Sequence, residues 1–357
     1  MPNERVRKLQ GKIAEAGGQA MLVGSDVNRR YLSGFTGSHG VLLISEDRAA
    51  LITDFRYQEQ APKQAAGYEI VVHGRDINAT IADLLKEWGI GKILFEDSRV
   101  TFAEHAAWTR AFVPAQLLPA GGMIEDLRVV KDASELAIMQ EAADLADRTF
   151  EHILGFIKPG LSELEVAVEM ETFMRKNGAS GPSFDTIVAS GERSALPHGK
   201  ASERIVGRDE FVKFDFGALY KGYCSDLTRT IVIGKPSDKH KEIYAIVKEA
   251  QQYALDHLKP GMTGREGDAL TRDIITRYGY GDHFGHGTGH GLGMEIHEAP
   301  RLSLTGDFVL QPGMVVTVEP GIYLPGFGGV RIEDDVVITE TGIQILTRSP
   351  KELIVLD

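Results

Sequence analysis

Cysteine is almost missing from this chain: Cys224 is the only one among 357 residues. A single thiol excludes an intramolecular disulfide and a cysteine-based zinc knuckle, and its expected role is that of a buried structural residue. Positive charge is also short. Lys and Arg number 39 against 51 Asp and Glu, a formal net charge of -12 with no basic patch to offset it. Nucleic acid and anionic membrane surfaces are therefore not expected partners. No apolar run reaches the about 18 residues that a spanning helix needs. The opening MPNERVRKLQGK lacks the apolar core of a secretory leader, so the expected location is cytoplasmic.

Familiar catalytic signatures are missing too. The sequence has no GxxxxGK followed by Ser or Thr, no HExxH, no GxGxxG and no GxSxG. These absences set aside a P-loop, a zincin helix, a dinucleotide fold and a serine nucleophile elbow. What is present is ordinary globular material, 43% hydrophobic and 25% charged, in a chain long enough for two domains.

The organisation follows from periodicity and punctuation. Residues 1–125 alternate a helix near 3–17, strands at 20–24, 41–45 and 49–53, a helix near 77–89, a strand at 92–96 and a helix near 102–112. That alternation predicts a small α/β domain. A Pro and paired Gly at 119–122 precede Asp132, a candidate helix cap with Glu135 three residues on. A linker at 126–132 and a second domain over 133–357 are expected.

The second part contains a near-repeat. KPGLSELE (158–165) recurs as KPGMTGRE (259–266), 101 residues later. In each copy Gly is expected to end one helix, with Ser162 or Thr263 capping the next and Glu165 or Glu266 completing the capping box. The acidic residues follow the same period. FVKFDFGALYKGYCSDLTRTIVI (211–233) reads as two strands carrying Asp215 and Asp226. MVVTVEPGIYLPGFGGVRIEDDVVI (314–338) reads likewise with Glu319 and Glu333. Positions 215 and 319 are 104 apart, and 226 and 333 are 107 apart. Two duplicated halves, each offering a pair of carboxylates, would face one another across a pseudo-twofold axis.

Carboxylates among valines and phenylalanines are costly to bury unless paired or bound to cations. Lysine is sparse nearby, so two divalent ions would balance four carboxylates. With one histidine the set is oxygen-rich, which suits Mn²⁺ first, with Co²⁺, Zn²⁺ or Fe²⁺ as alternatives. Two ions about 3.5–4 Å apart can share and activate a bridging water, which is a hydrolase design.

Five ordered motifs then carry a resemblance: DFG at 215–217, SDLTRT at 225–230, HGTGHGLGMEIHE at 286–298, VEPGIY at 318–323 and GGVRIEDD at 328–335. Together they resemble the pita-bread metallopeptidases, family M24, and within them the proline-specific branch of Xaa-Pro dipeptidases (prolidases) and aminopeptidases P. NRRYLSGFTGS (28–38) and TDFRYQEQA (53–61) resemble that branch's creatinase-type N-terminal domain. The resemblance implies an α+β fold with an internal pseudo-twofold repeat behind a smaller α/β domain. It also implies a dinuclear site from Asp215, Asp226, His290, Glu319 and Glu333, with Asp226 and Glu333 bridging. His198, His286 and His297 match the family's substrate-side histidines, and Arg331 matches the arginine at the proline end.

The activity so implied is cleavage N-terminal to proline in Xaa-Pro dipeptides or short Xaa-Pro peptides by a metal-bridging hydroxide, in a homodimer. Two alternatives are a non-catalytic peptide-binding module on the same fold and a creatinase-type C–N hydrolase. An intact ligand set argues against both. Glu298 and Asp335 are expected to be structural, Arg331 has Asp334 or Asp335 as an alternative partner, and Tyr323 and Tyr223 are expected in the core.

Overall fold

The computed structural model describes residues 4–357. Two compact units divide between Arg128 and Val129. The first is built on a six-stranded sheet with strands in the order Glu69–Val72, Ala49–Thr53, Val41–Ser45, Ala20–Val23, Lys92–Phe95 and Gln116–Pro119. Its central strands are almost wholly buried runs of Ala, Leu, Ile and Val, which is what a sheet covered on both faces requires. Helices Glu4–Glu15, Ile77–Glu87 and Phe102–Ala111 match the expected ones, and residue 3 of the first expectation lies outside the described residues.

Periodicity did not reveal helix Asp26–Ser33 or the four-residue strands Glu69–Val72 and Gln116–Pro119. The helix buries Arg29 along with Tyr31 and Leu32, and the Arg29 guanidinium donates to the carbonyls of Gly37 and Gly40. A buried arginine breaks the hydrophobic stripe that would have marked the helix. The edge strand Glu69–Val72 exposes both ends and so lacks a core signature.

In the second unit the repeat is visible in detail. Helices Ala133–Phe156 and Glu163–Lys176 form one pair, and Asp238–His257 and Gly264–Arg277 the other. Reciprocal capping boxes at Asp132/Glu135, Ser162/Glu165 and Thr263/Glu266 are all present. The leading helices end at Phe156 and His257, a few residues before Gly160 and Gly261. Those glycines form the turns between helices instead of ending them, at φ 95° and 87°. Each turn is tied to a strand-like segment in the same manner: Gly160 donates to the Val206 carbonyl and Gly261 to the Leu310 carbonyl.

Each half also folds as one hairpin nested inside another. Glu210–Phe216 pairs antiparallel with Leu227–Ile233, enclosing the short pair Ala218–Tyr220 and Tyr223–Cys224. Val315–Val318 pairs with Asp334–Ile338, enclosing Gly321–Leu324 and Gly328–Arg331. Phe150, Met170, Phe214 and Ile231 pack beneath the first half, and Leu258, Leu302, Val316 and Val336 beneath the second. Cys224 is buried, as its isolation suggested. No helix of the described residues is long and apolar enough to cross a membrane.

Candidate metal centre

The nested hairpins leave their carboxylates at strand ends. Only Asp215 lies within a strand; Asp226 precedes Leu227, Glu319 follows Val318, and Glu333 sits between Arg331 and Asp334. Strand ends can aim several side chains at one point while the ladders behind them stay paired. Hydrogen bonds across the two halves set their spacing. Glu333 N donates to the Thr228 carbonyl at 3.1 Å, and Thr228 Oγ1 donates to Glu333 Oε2 at 2.5 Å. Asp226 N donates to Asp335 Oδ2 at 2.9 Å, so Asp335 is the buried residue that positions Asp226.

His290 is the middle of the short strand Gly289–Gly291. Its flanking glycines answer to packing: a β-carbon on Gly289 would overlap the Thr317 carbonyl, and one on Gly291 the Ala299 carbonyl. Nδ1 lies 3.0 Å from the Gly291 carbonyl, which can only accept, so Nδ1 carries the proton and Nε2 keeps its lone pair. Nε2 faces Glu319 Oε1 at 3.4 Å and Asp226 Oδ2 at 3.6 Å. Burial pushes the His290 imidazole down to about 3, so it is neutral, the form that ligates.

The acids respond to the same burial in the other direction. Asp226 and Glu333 are pushed well above the carboxylate range by burial first and by neighbouring carboxylates second. Glu319 is raised to about 7 by burial, against the pull of Arg331. Asp226 Oδ1 is buried and has no hydrogen-bond partner among the described residues. Asp226, His290 and Glu333 each bring a ligand atom within 4.8 Å of the others. An orphaned carboxylate oxygen beside an imidazole lone pair fits a divalent cation, and the charge crowding asks for one.

Asp215 and Glu319 lie outside that closest trio. Asp215 is ion-paired with Arg331, whose Nε is 3.8 Å from Glu319 Oε2. The cluster thus contains a cation of its own, which a count of lysines in the sequence overlooked. Arg331 pairs with Asp215, while Asp334 is taken by Arg229.

All nine residues singled out in the sequence line one cavity of about 560 Å³. His297 stacks edge-on against His290 with ring centroids 4.4 Å apart, and His198 is exposed. His286 has both nitrogens engaged, Nδ1 with the Gly287 carbonyl at 2.8 Å and Nε2 with the Tyr323 hydroxyl at 2.7 Å. Arg331 Nη1 also reaches that hydroxyl at 2.8 Å. Tyr323, expected in the core, is therefore the link between His286 and Arg331. Its place in VEPGIY, four residues after Glu319, was the available signal. Lys213 was missed altogether: it is buried two residues before Asp215 and donates to the Leu196 and Pro197 carbonyls at 2.6 and 3.3 Å.

Two matching halves around buried carboxylates and a neutral imidazole define a metallohydrolase architecture, and known proteins share it. Residues 137–340 match metallopeptidase family M24, and residues 5–130 match the Creatinase/Prolidase N-terminal domain. An uncharacterized peptidase of Bacillus subtilis, YqhT, is 53% identical over 99% of this chain and 100% of its own length. The solved Xaa-Pro dipeptidase from Bacillus anthracis is 57% identical, with a TM-score of 0.97 over 99% of both chains. The X-Pro aminopeptidase structure from Thermotoga maritima is 41% identical, with a TM-score of 0.93 over 97% of this chain and all of that one. The chain belongs to metallopeptidase family M24. Its fold is the pita-bread domain of that family behind a creatinase-type N-terminal domain.

Proposed function

We propose that this metallopeptidase hydrolyses the peptide bond N-terminal to proline in Xaa-Pro dipeptides or short Xaa-Pro peptides. The observation that carries the reading is the buried cluster of Asp226, Glu333 and Glu319 around the free Nε2 of His290, with one carboxylate oxygen left unpartnered. Asp215, Asp226, His290, Glu319 and Glu333 would hold two divalent ions, manganese first among them because oxygen ligands dominate. When bound, such ions supply an activated water and positive charge for the scissile carbonyl oxygen.

The remaining groups act on the peptide. Burial holds His286 and His297 on the neutral side, so neither adds charge next to the metal ligands; His297 can hydrogen-bond the peptide, while both nitrogens of His286 are engaged with Gly287 and Tyr323. His198 and His297 meet the reacting carbonyl and the leaving nitrogen by hydrogen bonding. His286, through the Tyr323 hydroxyl, holds the Arg331 guanidinium beside Asp215. Phe184 and Ile187 in the cavity wall give apolar surface suited to a proline ring. The names borne by the Bacillus anthracis and Thermotoga maritima relatives support the proline preference and leave both chain-length specificities open.

The test is hydrolysis by metal-stripped protein reloaded with Mn²⁺, offered an Xaa-Pro dipeptide beside a matched Xaa-Pro-Xaa tripeptide. Cleavage of the dipeptide alone identifies a dipeptidase, and cleavage of the tripeptide identifies an aminopeptidase P. Cleavage of neither by protein that has taken up metal contradicts the reading.

A further inference from the structure

We propose that His39, Asp54 and His73 form a second metal site, wholly within the N-terminal unit, for a transition ion of the zinc class. The site is a product of strand register. Val41 lies opposite Ile52 in an antiparallel pair, so two residues beyond the strand His39 falls opposite Asp54. Thr53 lies beside Val72 in a parallel pair, so one residue on Asp54 falls beside His73. The alignment holds past the strand ends, because His73 N donates to the Thr53 carbonyl at 2.9 Å and Thr53 Oγ1 donates to the His39 carbonyl at 2.7 Å. Three adjacent strands thus deliver two imidazoles and a carboxylate in one row.

Their ligand atoms lie within 4.8 Å of one another, and the two Nε2 atoms are 3.1 Å apart. Nitrogens bound tetrahedrally at zinc distances stand about 3.3 Å from each other. Protonation favours the same use. His73 Nδ1 is 2.8 Å from the Gly74 carbonyl, which only accepts, so the proton sits on Nδ1 and Nε2 of the neutral ring is a lone pair. Asp54 is oriented by Arg56, with Nε on Oδ1 at 2.9 Å and Nη2 on Oδ2 at 2.6 Å. Those bonds hold its carboxyl below the ordinary range. They also offset its charge, so affinity rests on the imidazoles, which select zinc, copper and nickel over manganese. Three protein ligands at a half-buried strand end leave a fourth position open to water or a small anion.

The competing arrangement is a plain hydrogen bond from His39 Nε2 to His73 Nε2. Zinc content separates the two. The untagged full-length chain, His39→Ala and His73→Ala are each equilibrated with Zn²⁺, freed of excess by dialysis, and analysed for zinc per chain. The same three are prepared in an Asp226→Asn background, so that the outcome does not depend on occupancy of the carboxylate centre. One equivalent fewer in both histidine variants, in either background and with an unchanged circular dichroism spectrum, is expected. Equal zinc in all three leaves a hydrogen-bonded imidazole pair and overturns the proposal. The His73→Gln variant, which can keep a hydrogen bond to His39 without the imidazole ligand, should behave as His73→Ala does.

Discussion

Arg229 and Asp334 form an ion pair sealed between the two halves of the second unit, Nη2 to Oδ1 at 2.7 Å, with side chains 1% and 0% exposed. Arg229 also donates to the Ser349 and Pro350 carbonyls, and Asp334 accepts from Gln251, Thr347 and Lys351. Every lone pair is used, which is the condition under which a buried pair is tolerable.

Arg229→Met leaves Asp334 buried with part of its partners gone, a change that costs about 3–5 kcal/mol. Burial alone would raise the Asp334 carboxyl, but Arg229 and then Lys351 outweigh it and hold it below the ordinary range. A depressed carboxyl contributes stability above its unfolded pKa and loses it as pH falls through its folded one. Urea unfolding from about pH 7 down to about pH 3 should show the variant's deficit shrinking in acid. A deficit that does not change with pH would remove Arg229 as the source of the shift.

Loading the metal centre should release protons. Burial, then like charge, raises Asp226 and Glu333, and burial raises Glu319 to about 7. Between about pH 4 and the raised values the metal-free native state holds more protons than the unfolded chain. Its stability therefore declines as pH climbs through that window, the reverse of the Asp334 case. Mn²⁺ titrated into stripped protein near pH 6 should give heats that vary with the ionisation enthalpy of the buffer. Heats independent of buffer would mean the carboxylates were already charged.

How much of this was legible depended on what each residue leaves in the sequence. The four acidic candidates stood out because a duplicated hairpin repeats them at nearly one spacing, and His290 because its glycine-rich motif resembles the family's. The capping boxes stood out because their chemistry is local. Tyr323 and Lys213 did not, since a tyrosine in a buried hairpin and a lysine amid phenylalanines gain their roles from partners far away in the chain, His286 and Leu196. Helix Asp26–Ser33 hid for a related reason: its buried Arg29 is satisfied by loop carbonyls that no periodicity announces. The row His39, Asp54 and His73 needed strand register, which three separate segments cannot declare singly.

Lys213 is a positioning residue. Burial, then the nearby Arg331, pushes its ammonium well below the usual lysine range, and it grips the Leu196 and Pro197 carbonyls beside His198. Lys213→Met fills the same space but takes the donor away from the Leu196 and Pro197 carbonyls, so the variant should be less stable to unfolding by about 1–3 kcal/mol. Loosening the loop should still lower kcat/KM on Xaa-Pro substrates by about tenfold to a hundredfold. Full activity in a stable variant would show that the His198 loop does not need this tether.

Tyr323→Phe removes the hydroxyl shared by His286 and Arg331 and keeps the buried ring. The loss should fall on kcat, by about a hundredfold, as for other groups that orient charge at a reacting centre. A rise in KM with kcat unchanged would instead make Tyr323 part of ground-state proline binding.

Asp226, with its buried unpartnered oxygen, is the key ligand of the proposed cation site. Asp226→Asn keeps its size and its backbone bond to Asp335 but removes one ligand charge. The decisive measurement is Xaa-Pro hydrolysis by this variant after Mn²⁺ reloading, alongside its bound manganese. A fall in kcat/KM of at least about a hundredfold together with lost manganese is expected. Activity within about twofold of the parent chain, at full substrate turnover and with manganese depleted, would contradict it.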